Sequence, residues 1–250
     1  MNDGDGGLES NGRDLRATTS LGGDQWAAAE ASPGQDLRLR LGELAILLTA
    51  VVGAVALGLG ITDYLTDHPY VFGYLLAYAG FRLADLILRP DAEISIHPRD
   101  PLRRAVDELP LLLLFAAAPF ERTYLYGGEA SGWIAAFGLL MELVGLWLAL
   151  GSRIQLTLRL GEDEGQRDSI LLRTGFYRYV RHPIYLGTCL VLFAWPFEYG
   201  APIVAVITLA VLLAVMQRRI RREEEKMVAR FGEEYESYRR ETDSLIPNIW

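Results

Sequence analysis

Apolar residues are gathered into long runs along the chain, separated by polar segments. The runs that have or approach membrane-spanning length cover residues 41–61, 70–88, 109–120, 131–151 and 184–217. A helix that crosses a bilayer needs about 20 mostly apolar residues, so the first, second and fourth runs are long enough. The third run is short, and it crosses fully only with little tilt or with residues added from position 102 onward.

The last apolar run is too long for one straight span. Pro196, Gly200 and Pro202 interrupt it, which predicts a helical hairpin with arms at 184–197 and 201–217. Each arm is apolar on all sides, as expected for helices that face lipid or the centre of a bundle. Since no barrel-like alternation is visible, the pattern predicts an all-α, multi-pass transmembrane helix bundle that ends in the hairpin and a cytoplasmic tail helix.

The polar start of the chain differs from the rest. Residues 1–36 are rich in Gly, Asp, Ser and Asn, and we expect them to be disordered because they bury too little apolar surface. No signal peptide is visible, so the run at 41–61 is expected to act as its own insertion signal. Residues 37–250 are expected to form one membrane domain, with N-terminal transmembrane helices at 37–151 and a C-terminal core at 152–250.

Loop charges predict the orientation in the membrane, because cytoplasmic loops carry an excess of Arg and Lys. The loop at 62–69 has neither residue, whereas the loop at 89–108, the segment at 152–183 and the tail after 217 contain several arginines. Both chain ends and these arginine-bearing segments are therefore expected on the cytoplasmic side.

Composition excludes several other classes of function. The formal net charge of −8 argues against nucleic-acid binding, which requires basic residues to neutralise phosphates. Cys189 is the only cysteine, and the three histidines are scattered, so no spacing typical of a zinc site is present. We therefore expect no metal centre.

Ionisable residues also occur within the apolar runs. Arg82 and Asp85 are three residues apart and can pair on one helix face, and Glu142 either joins them or faces a substrate. An interhelical salt bridge is the favoured interpretation of these charges. Arg153, just after the fourth run, is either an interfacial anchor or a contact to an anionic substrate.

Two polar blocks flank the hairpin. In the first, Arg181 and His182 precede Pro183, a residue suited to the first position of a helix. The free N–H groups at a helix start attract anions, so these side chains could bind a carboxylate. The alternative is that they only anchor the helix at the lipid headgroups.

In the second block, three glutamates follow the arginines that mark the end of the apolar segment. Glu223, Glu224 and Glu225 either form solvated pairs along the helix or direct one carboxylate into the bundle to hold a cation. The sequence alone leaves both interpretations open.

Together the two blocks resemble the superfamily of isoprenylcysteine carboxyl methyltransferases and phospholipid N-methyltransferases. The resemblance covers roughly residues 150–250. The matching positions of the first block are Gly175, Tyr177, Arg178, Arg181, His182, Pro183, Tyr185 and Gly187. Those of the second block are Glu223, Glu224, Met227, Phe231, Gly232, Tyr235, Tyr238 and Pro247. Phe176, Thr242 and Asp243 depart from the pattern, and they are expected to lie away from the cofactor motif.

The resemblance implies an S-adenosylmethionine-dependent membrane methyltransferase, with the cofactor core in residues 152–250 and an amphiphilic or lipid-like acceptor. It implies catalytic roles for Glu224 and Arg181, with Arg181 near the cofactor carboxylate. Which glutamate points inward stays open, and Phe231 and Tyr235 are expected to pack the tail helix. The implied cofactor-binding residues are Tyr177, Arg178, Arg181, His182, Pro183, Tyr185, Gly187, Glu223 and Glu224.

Two other functions remain possible at this stage. An NADPH-dependent, sterol-reductase-like enzyme shares a similar C-terminal layout, but that family has asparagine where this chain has Pro183. A non-enzymatic membrane protein would use both polar blocks only as interface anchors. The chemical identity of the acceptor, whether carboxylate, amine or thiol, is not indicated by the sequence.

Overall fold

The computed structural model describes residues 53, 69–88, 110, 113–127, 130–162 and 171–246, and almost all of these are helical. They belong to one compact unit that spans residues 44–250. The predicted disordered segment at 1–36, most of the apolar run at 41–61, the loop at 89–108 and Pro247 lie outside the described residues.

The first half of the described chain forms three helices. Helix α1 is Pro69–Leu88, helix α2 covers residues 113–121 and continues into a π-helical turn at Arg122–Tyr126, and helix α3 is Gly132–Glu162. Helix α3 extends eleven residues beyond the predicted end of its apolar run at 151.

The helix α3 extension begins with a buried tertiary contact. Arg153 of α3 pairs with Asp85 of α1, with 2.8 Å between Nη2 and Oδ1 and a side-chain exposure of 5% for Arg153. This contact is an interhelical salt bridge of the kind expected for the charges in the apolar runs, but the partner of Asp85 is Arg153, which the sequence predicted as an interfacial anchor or a substrate contact. The charged side chain therefore has a partner inside the bundle at the start of the α3 extension.

The second half contains the helical hairpin. Helix α4 is Pro183–Tyr199 and helix α5 is Pro202–Phe231, and the turn between them has Gly200 in the left-handed region at φ 61°. Helix α5 runs well past residue 217 as a polar extension, and helix α6 is Glu233–Glu241. No β-strand occurs in the part of the chain that the structure describes; it has one isolated parallel bridge, between Val180 and Asp243.

Helices α3 and α4 pack closely because small residues face each other. A Cβ atom at Gly187 would lie 2.6 Å from the Gly145 carbonyl oxygen and 2.7 Å from the Ala149 Cβ. A Cβ atom at Gly145 would lie 2.8 Å from the Gly187 carbonyl oxygen. Such close contact is typical of helices that associate in membranes. It fixes the position of the first turns of α4 relative to α3.

A buried aromatic cluster holds the other end of the bundle together. The rings of Tyr74 and Trp195 lie 4.6 Å apart between centroids, and Trp195 also packs against Phe115 and Tyr199. The Tyr74 hydroxyl donates to the Val191 carbonyl oxygen at 2.8 Å. The cluster therefore joins α1, α2 and α4, and it pairs the buried phenol with an acceptor.

Two described helices, Gly132–Arg159 within α3 and Pro202–Phe231, are long and apolar enough to cross a membrane by length and composition. Helix α3 also turns large apolar side chains outward, among them Trp133 with an exposure of 88% and Trp147 with 65%. An outward-facing apolar surface of this kind is typical of a helix that contacts lipid.

Candidate active site at the mouth of the hairpin

The segment before α4 is held against α3. A short 3₁₀ turn at Gly175–Arg178 begins with Gly175 at φ 60°. The Gln155 amide from α3 donates to the Thr174 carbonyl oxygen at 2.7 Å and accepts from the Phe176 backbone N–H at 3.1 Å. Gln155 therefore holds the start of this turn against α3, and the chain enters α4 from there.

The tail after α6 lies alongside this entry path. The Arg181 backbone N–H donates to the Asp243 carbonyl oxygen at 2.9 Å, and the His182 N–H donates to the Ser244 carbonyl oxygen at 3.0 Å. The expectation that Thr242 and Asp243 lie away from the cofactor motif is therefore wrong. Backbone groups make this contact, so the side chains at these positions gave no signal of it.

The Arg181 side chain connects three elements. Its Nε donates to Oε1 of Glu224 on α5 at 2.8 Å, and its Nη1 donates to the carbonyl oxygens of Arg239, at 3.1 Å, and Thr242. The side chains of Arg181 and Glu224 are only 10% and 13% exposed. Charge-assisted hydrogen bonds at this depth fix the arginine, the glutamate and the end of α6 in one arrangement.

His182 lies between the two glutamates that the sequence left undecided. Its Nε2 is 3.4 Å from Glu224 Oε1, and its Nδ1 is 3.7 Å from Glu223 Oε2. The imidazole also stacks on Tyr185, with 5.6 Å between ring centroids. Both carboxylates therefore face the mouth of the hairpin, and Glu224 is not a solvated helix-surface residue.

Glu224 has a second cationic neighbour that sequence reasoning missed. Arg239 of α6 places its Nε 3.6 Å from Glu224 Oε2, while its Nη1 lies 3.1 Å from Glu236 Oε1. The i,i+3 spacing of Glu236 and Arg239 predicts only the pair within α6. Packing of α6 against α5 creates the longer-range contact.

The electrostatics of the cluster favour an ionised Glu224. Burial by itself raises the pKa of this carboxyl group, but hydrogen bonds with His182 and Arg181 and the Arg181 charge lower it below its ordinary value of 4.5. Burial also raises the pKa of Tyr238, so its hydroxyl stays protonated and donates to the Tyr177 carbonyl oxygen at 2.5 Å.

A cavity of about 720 Å³ opens beside this cluster. Residues of both charges line it, and Arg181 and Glu224 form part of its wall. The other charged residues of the wall are Arg221, Glu225, Glu236, Arg239 and Asp243. A cavity of this size is typical of a site for a small organic ligand, and its mixed charges are suited to a zwitterionic one.

The remaining predicted site residues lie elsewhere. Pro183 is buried at the start of α4, Tyr177 is buried and holds Tyr238, and Gly187 faces α3 rather than the cavity. Arg178 is exposed and lines a different cavity of about 530 Å³. The structure thus brings Arg181, His182, Tyr185, Glu223 and Glu224 together and separates Arg178 and Gly187 from them.

Comparison with known proteins supports the interpretation of this region. Residues 133–234 match the family model described as phospholipid methyltransferase. A methanethiol S-methyltransferase from Crocosphaera subtropica is 45% identical over 76 residues, which cover 30% of this chain and 28% of the relative. A protein-S-isoprenylcysteine O-methyltransferase from Schizosaccharomyces pombe is 35% identical over 83 residues, which cover 33% of this chain and 35% of the relative.

The matched parts are short relative to whole proteins. A protein-S-isoprenylcysteine O-methyltransferase from Dictyostelium discoideum is 25% identical over 123 residues, and these cover 47% of this chain and 49% of the relative. The chain therefore spans about a third to a half of the length of these curated relatives. The family match covers less than half of the chain, and it contains α4, α5 and the Arg181–His182–Glu224 cluster.

Proposed function

We propose that this protein is an integral membrane methyltransferase that uses S-adenosylmethionine and acts on an amphiphilic or lipid-like acceptor. The observation that carries the proposal is the buried cluster of Arg181, His182 and Glu224 beside a cavity of about 720 Å³. This cluster lies within the residues that match the methyltransferase family model.

The residues around the cavity fit the cofactor's charged groups. Glu223 does not line the cavity, but its Oε2, beside His182, is buried and has no hydrogen-bond donor among the described residues, so it can accept from an ammonium group or a ribose hydroxyl that reaches the cluster. Arg221 lines the cavity and can pair with a carboxylate, whereas Arg239 in the same wall already contacts Glu224 and Glu236. Arg181 is already bonded to Glu224 and two backbone carbonyl groups, so we assign it a positioning role rather than a cofactor contact.

Methyl transfer mainly requires the protein to align the acceptor with the methyl group of the cofactor. S-adenosylmethionine supplies a methyl group already activated by the positive charge on sulfur. The protein residues orient the reacting groups, exclude water and keep the local charge balanced. Arg181 holds the ionised Glu224 in place, and the tail after α6 covers the entry to α4.

The need for a base depends on the acceptor. A thiolate or carboxylate attacks the methyl carbon with its own electron pair, and no proton transfer is required. An amine must lose a proton, and His182 Nε2 or the Glu224 carboxylate is available to accept it. The names of the relatives, which include S- and O-methyltransferases, support the first type.

The outer surface of the helices supports a membrane setting. Trp133, Leu140 and Trp147 of α3 are more than half exposed, and two helices have the length and composition of spans. We propose that the acceptor arrives from the lipid phase. The cofactor cavity and both chain ends lie on the cytoplasmic side, as the loop charges predict.

Cofactor binding tests the proposal directly. We would titrate the detergent-purified protein with S-adenosylmethionine, S-adenosylhomocysteine and NADPH by calorimetry, using wild type, His182→Ala and Glu224→Gln. Glu233→Gln is the matched control, since Glu233 is an exposed glutamate that pairs with Arg240. We expect saturable binding of both adenosyl ligands, at least tenfold weaker in the two site variants and unchanged in the control.

The other outcomes separate the alternative functions. Binding of NADPH alone would move the protein to the reductase class, and binding of none of the three by folded protein would support a non-enzymatic role. If adenosyl ligands bind, transfer of a radiolabelled methyl group to a small thiol, a prenylated cysteine and a lipid amine identifies the acceptor class.

A further inference from the structure

The exposed residue Arg178 lines a second cavity that the proposed reaction does not use. This groove has a volume of about 530 Å³. Its wall is mostly apolar and comes from α3, the 3₁₀ turn and the first turns of α4. The residues that matter for its chemistry are Trp147, Leu148, Phe176, Arg178, Tyr179 and Leu186.

The groove is separate from the cofactor cavity. The two have no lining residue in common, although both use the segment that enters α4. Val180 lines the groove and its neighbour Arg181 lines the cofactor cavity, so this stretch of backbone forms a partition. A molecule in the groove therefore contacts none of the residues that line the cofactor cavity, which favours a separately bound molecule over the methyl acceptor.

The apolar wall is built from interlocking rings and aliphatic side chains. Phe176 packs over Gly151, where an added Cβ atom would lie 2.9 Å from its ring, and meets Trp147 edge to face with 5.1 Å between centroids. Trp147 itself is 65% exposed, so one side of the groove opens toward the outer face of α3. A hydrocarbon chain can enter from that face.

The groove carries a positive charge at one end. Arg178 is exposed, and within the described ranges no carboxylate pairs with it. The polar neighbour Gln155 is committed to the backbone of Thr174 and Phe176, so it does not compensate the arginine. An apolar slot that ends in a free guanidinium group matches a molecule with a hydrocarbon chain and an anionic head.

The position along the helices indicates where such a molecule comes from. Arg178 lies five residues before the first residue of α4, close to the end of the apolar part of α3, and Tyr179 beside it is 69% exposed. Tyrosine and arginine at this level are typical of the interface between lipid and water, and basic pockets between membrane helices bind anionic lipid headgroups.

We propose that this groove binds one anionic phospholipid, with an acyl chain against Trp147 and Leu148 and the headgroup phosphate on Arg178. The inference rests on the membrane setting of the proposed function but not on its cofactor. Zwitterionic lipids also carry a phosphate, but their ammonium group offsets its charge, so the site favours a lipid with net negative charge.

Thermal unfolding in detergent with added short-chain lipid tests this binding. Phosphatidylglycerol is compared with phosphatidylcholine of the same chain length, and inorganic phosphate alone is a third arm. We expect phosphatidylglycerol near saturation to raise Tm by roughly 5 °C more than phosphatidylcholine, and inorganic phosphate to have no effect.

Matched variants locate the site. Arg178→Gln should lose the difference between the two lipids, whereas Arg218→Gln should keep it, because Arg218 is an exposed arginine that lines neither cavity. Leu148→Phe narrows the groove and should weaken the response, while Leu140→Phe, on the exposed part of the same helix, should not.

Several results would overturn the inference. Equal responses to the two lipids, an unchanged response in Arg178→Gln, or an equal loss in Arg218→Gln would each contradict a specific site. A rise in Tm with inorganic phosphate alone would show that the apolar groove is not needed for the response. The readout needs neither methyl donor nor acceptor, so a protein that binds no adenosyl ligand can still pass this test.

Discussion

Two regions of the protein contain buried glutamates, and the carboxyl groups differ in whether they have partners. At the mouth of the hairpin, Glu224 contacts Arg181, His182 and Arg239 from three different segments. Between α3 and α4, Glu142 and Glu198 are 3% and 4% exposed, and Oε1 of each has no hydrogen-bond partner among the described residues.

The comparison shows that burial of an acidic residue does not by itself identify a site. A buried carboxylate with cationic partners is part of a fixed charge arrangement, and removing it leaves those partners uncompensated. A buried carboxyl oxygen without a partner is a cost to folding, so an apolar replacement relieves that cost. The same kind of substitution should therefore have opposite effects on stability in the two regions.

The largest effect is expected from Glu224→Gln. It removes the negative charge while Arg181, only 10% exposed, keeps its position. Loss of one partner from a buried ion pair lowers the free energy of unfolding by about 3 kcal/mol. The loss here should be somewhat smaller, because the Glu224 side chain keeps 13% exposure to solvent. Thermal or denaturant unfolding in detergent measures the loss.

Glu233→Gln is the control for Glu224→Gln. Glu233 also pairs with an arginine, but its side chain is 82% exposed. An exposed pair contributes little, so the control should unfold like wild type. An equal loss of unfolding free energy in both variants would mean that the buried ion pair contributes no more to stability than the exposed one.

The next largest effect is expected at Gly187, on the helix that connects the two regions. Gly187→Ala places a methyl group within 2.6 Å of the Gly145 carbonyl oxygen, so α3 and α4 must separate. Overpacking of this kind costs about 1–3 kcal/mol. Because the first turns of α4 carry His182 and Tyr185, we also expect weaker binding of adenosyl ligands in calorimetry.

Gly80→Ala is the matched substitution in α1. A Cβ atom there meets nothing within 4 Å. Alanine favours helix more than glycine does, so this variant should be neutral or more stable by about 0.5–1 kcal/mol. A Gly187→Ala protein as stable as Gly80→Ala would show that the close approach of α3 and α4 does not constrain the fold.

A smaller effect of opposite sign is expected for the second pair of glutamates. Glu142→Met and Glu198→Met keep an unbranched side chain and remove the unpartnered oxygen. We expect each variant to be as stable as wild type or more stable by about 1 kcal/mol in thermal unfolding.

Glu121→Met is the control for this pair of methionine variants. Glu121 is equally buried, at 3% exposure, but its carboxylate accepts from the N–H groups of Ile203 and Val204 at 2.9 and 2.7 Å. Loss of this cap at the start of α5 should cost about 1–2 kcal/mol. Destabilisation of Glu142→Met or Glu198→Met by the same amount would contradict the difference between partnered and unpartnered carboxyl groups.

Features that depend on local sequence could be predicted. Gly200 and Pro202 indicated the hairpin turn, because a left-handed glycine ends α4 and a proline begins α5. The prediction that Pro196 interrupts the run and ends the first arm at 197 is wrong, since Pro196 lies inside α4, which continues to Tyr199. The order Arg181-His182-Pro183 indicated a helix start with basic side chains. The sequence also indicated that Glu223 and Glu224 lie on the polar continuation of α5, because they directly follow its apolar part and the arginines that end it.

Features that depend on tertiary contacts could not be predicted. The contact of Arg181 and His182 with residues 243 and 244 uses backbone groups, and an isolated bridge leaves no pattern of side chains. Arg178 lines the separate groove although it lies only three residues before Arg181, and the sequence pattern does not distinguish the two positions. The contact of Arg153, in the extended part of α3, with Asp85 joins residues that are 68 positions apart in the chain.

The smallest effect, and the one that depends most on the ionisation of Glu224, is expected on acidification. The pKa of this carboxyl group is lowered below 4.5 in the folded state, so its contribution to stability is fully present above the unfolded value and declines as pH falls through the folded one. Each unit by which the folded pKa lies below the unfolded pKa adds about 1.4 kcal/mol to the free energy of unfolding at neutral pH.

The difference in Tm between wild type and Glu224→Gln measures this contribution. We expect the difference to be constant between pH 7 and pH 5 and to shrink only below about pH 4.5. A difference that already shrinks near pH 6 would place the pKa above its ordinary value. In that case desolvation would outweigh the hydrogen bonds from Arg181 and His182, and Glu224 would resemble the unpartnered glutamates between α3 and α4 more than a member of an ionised cluster.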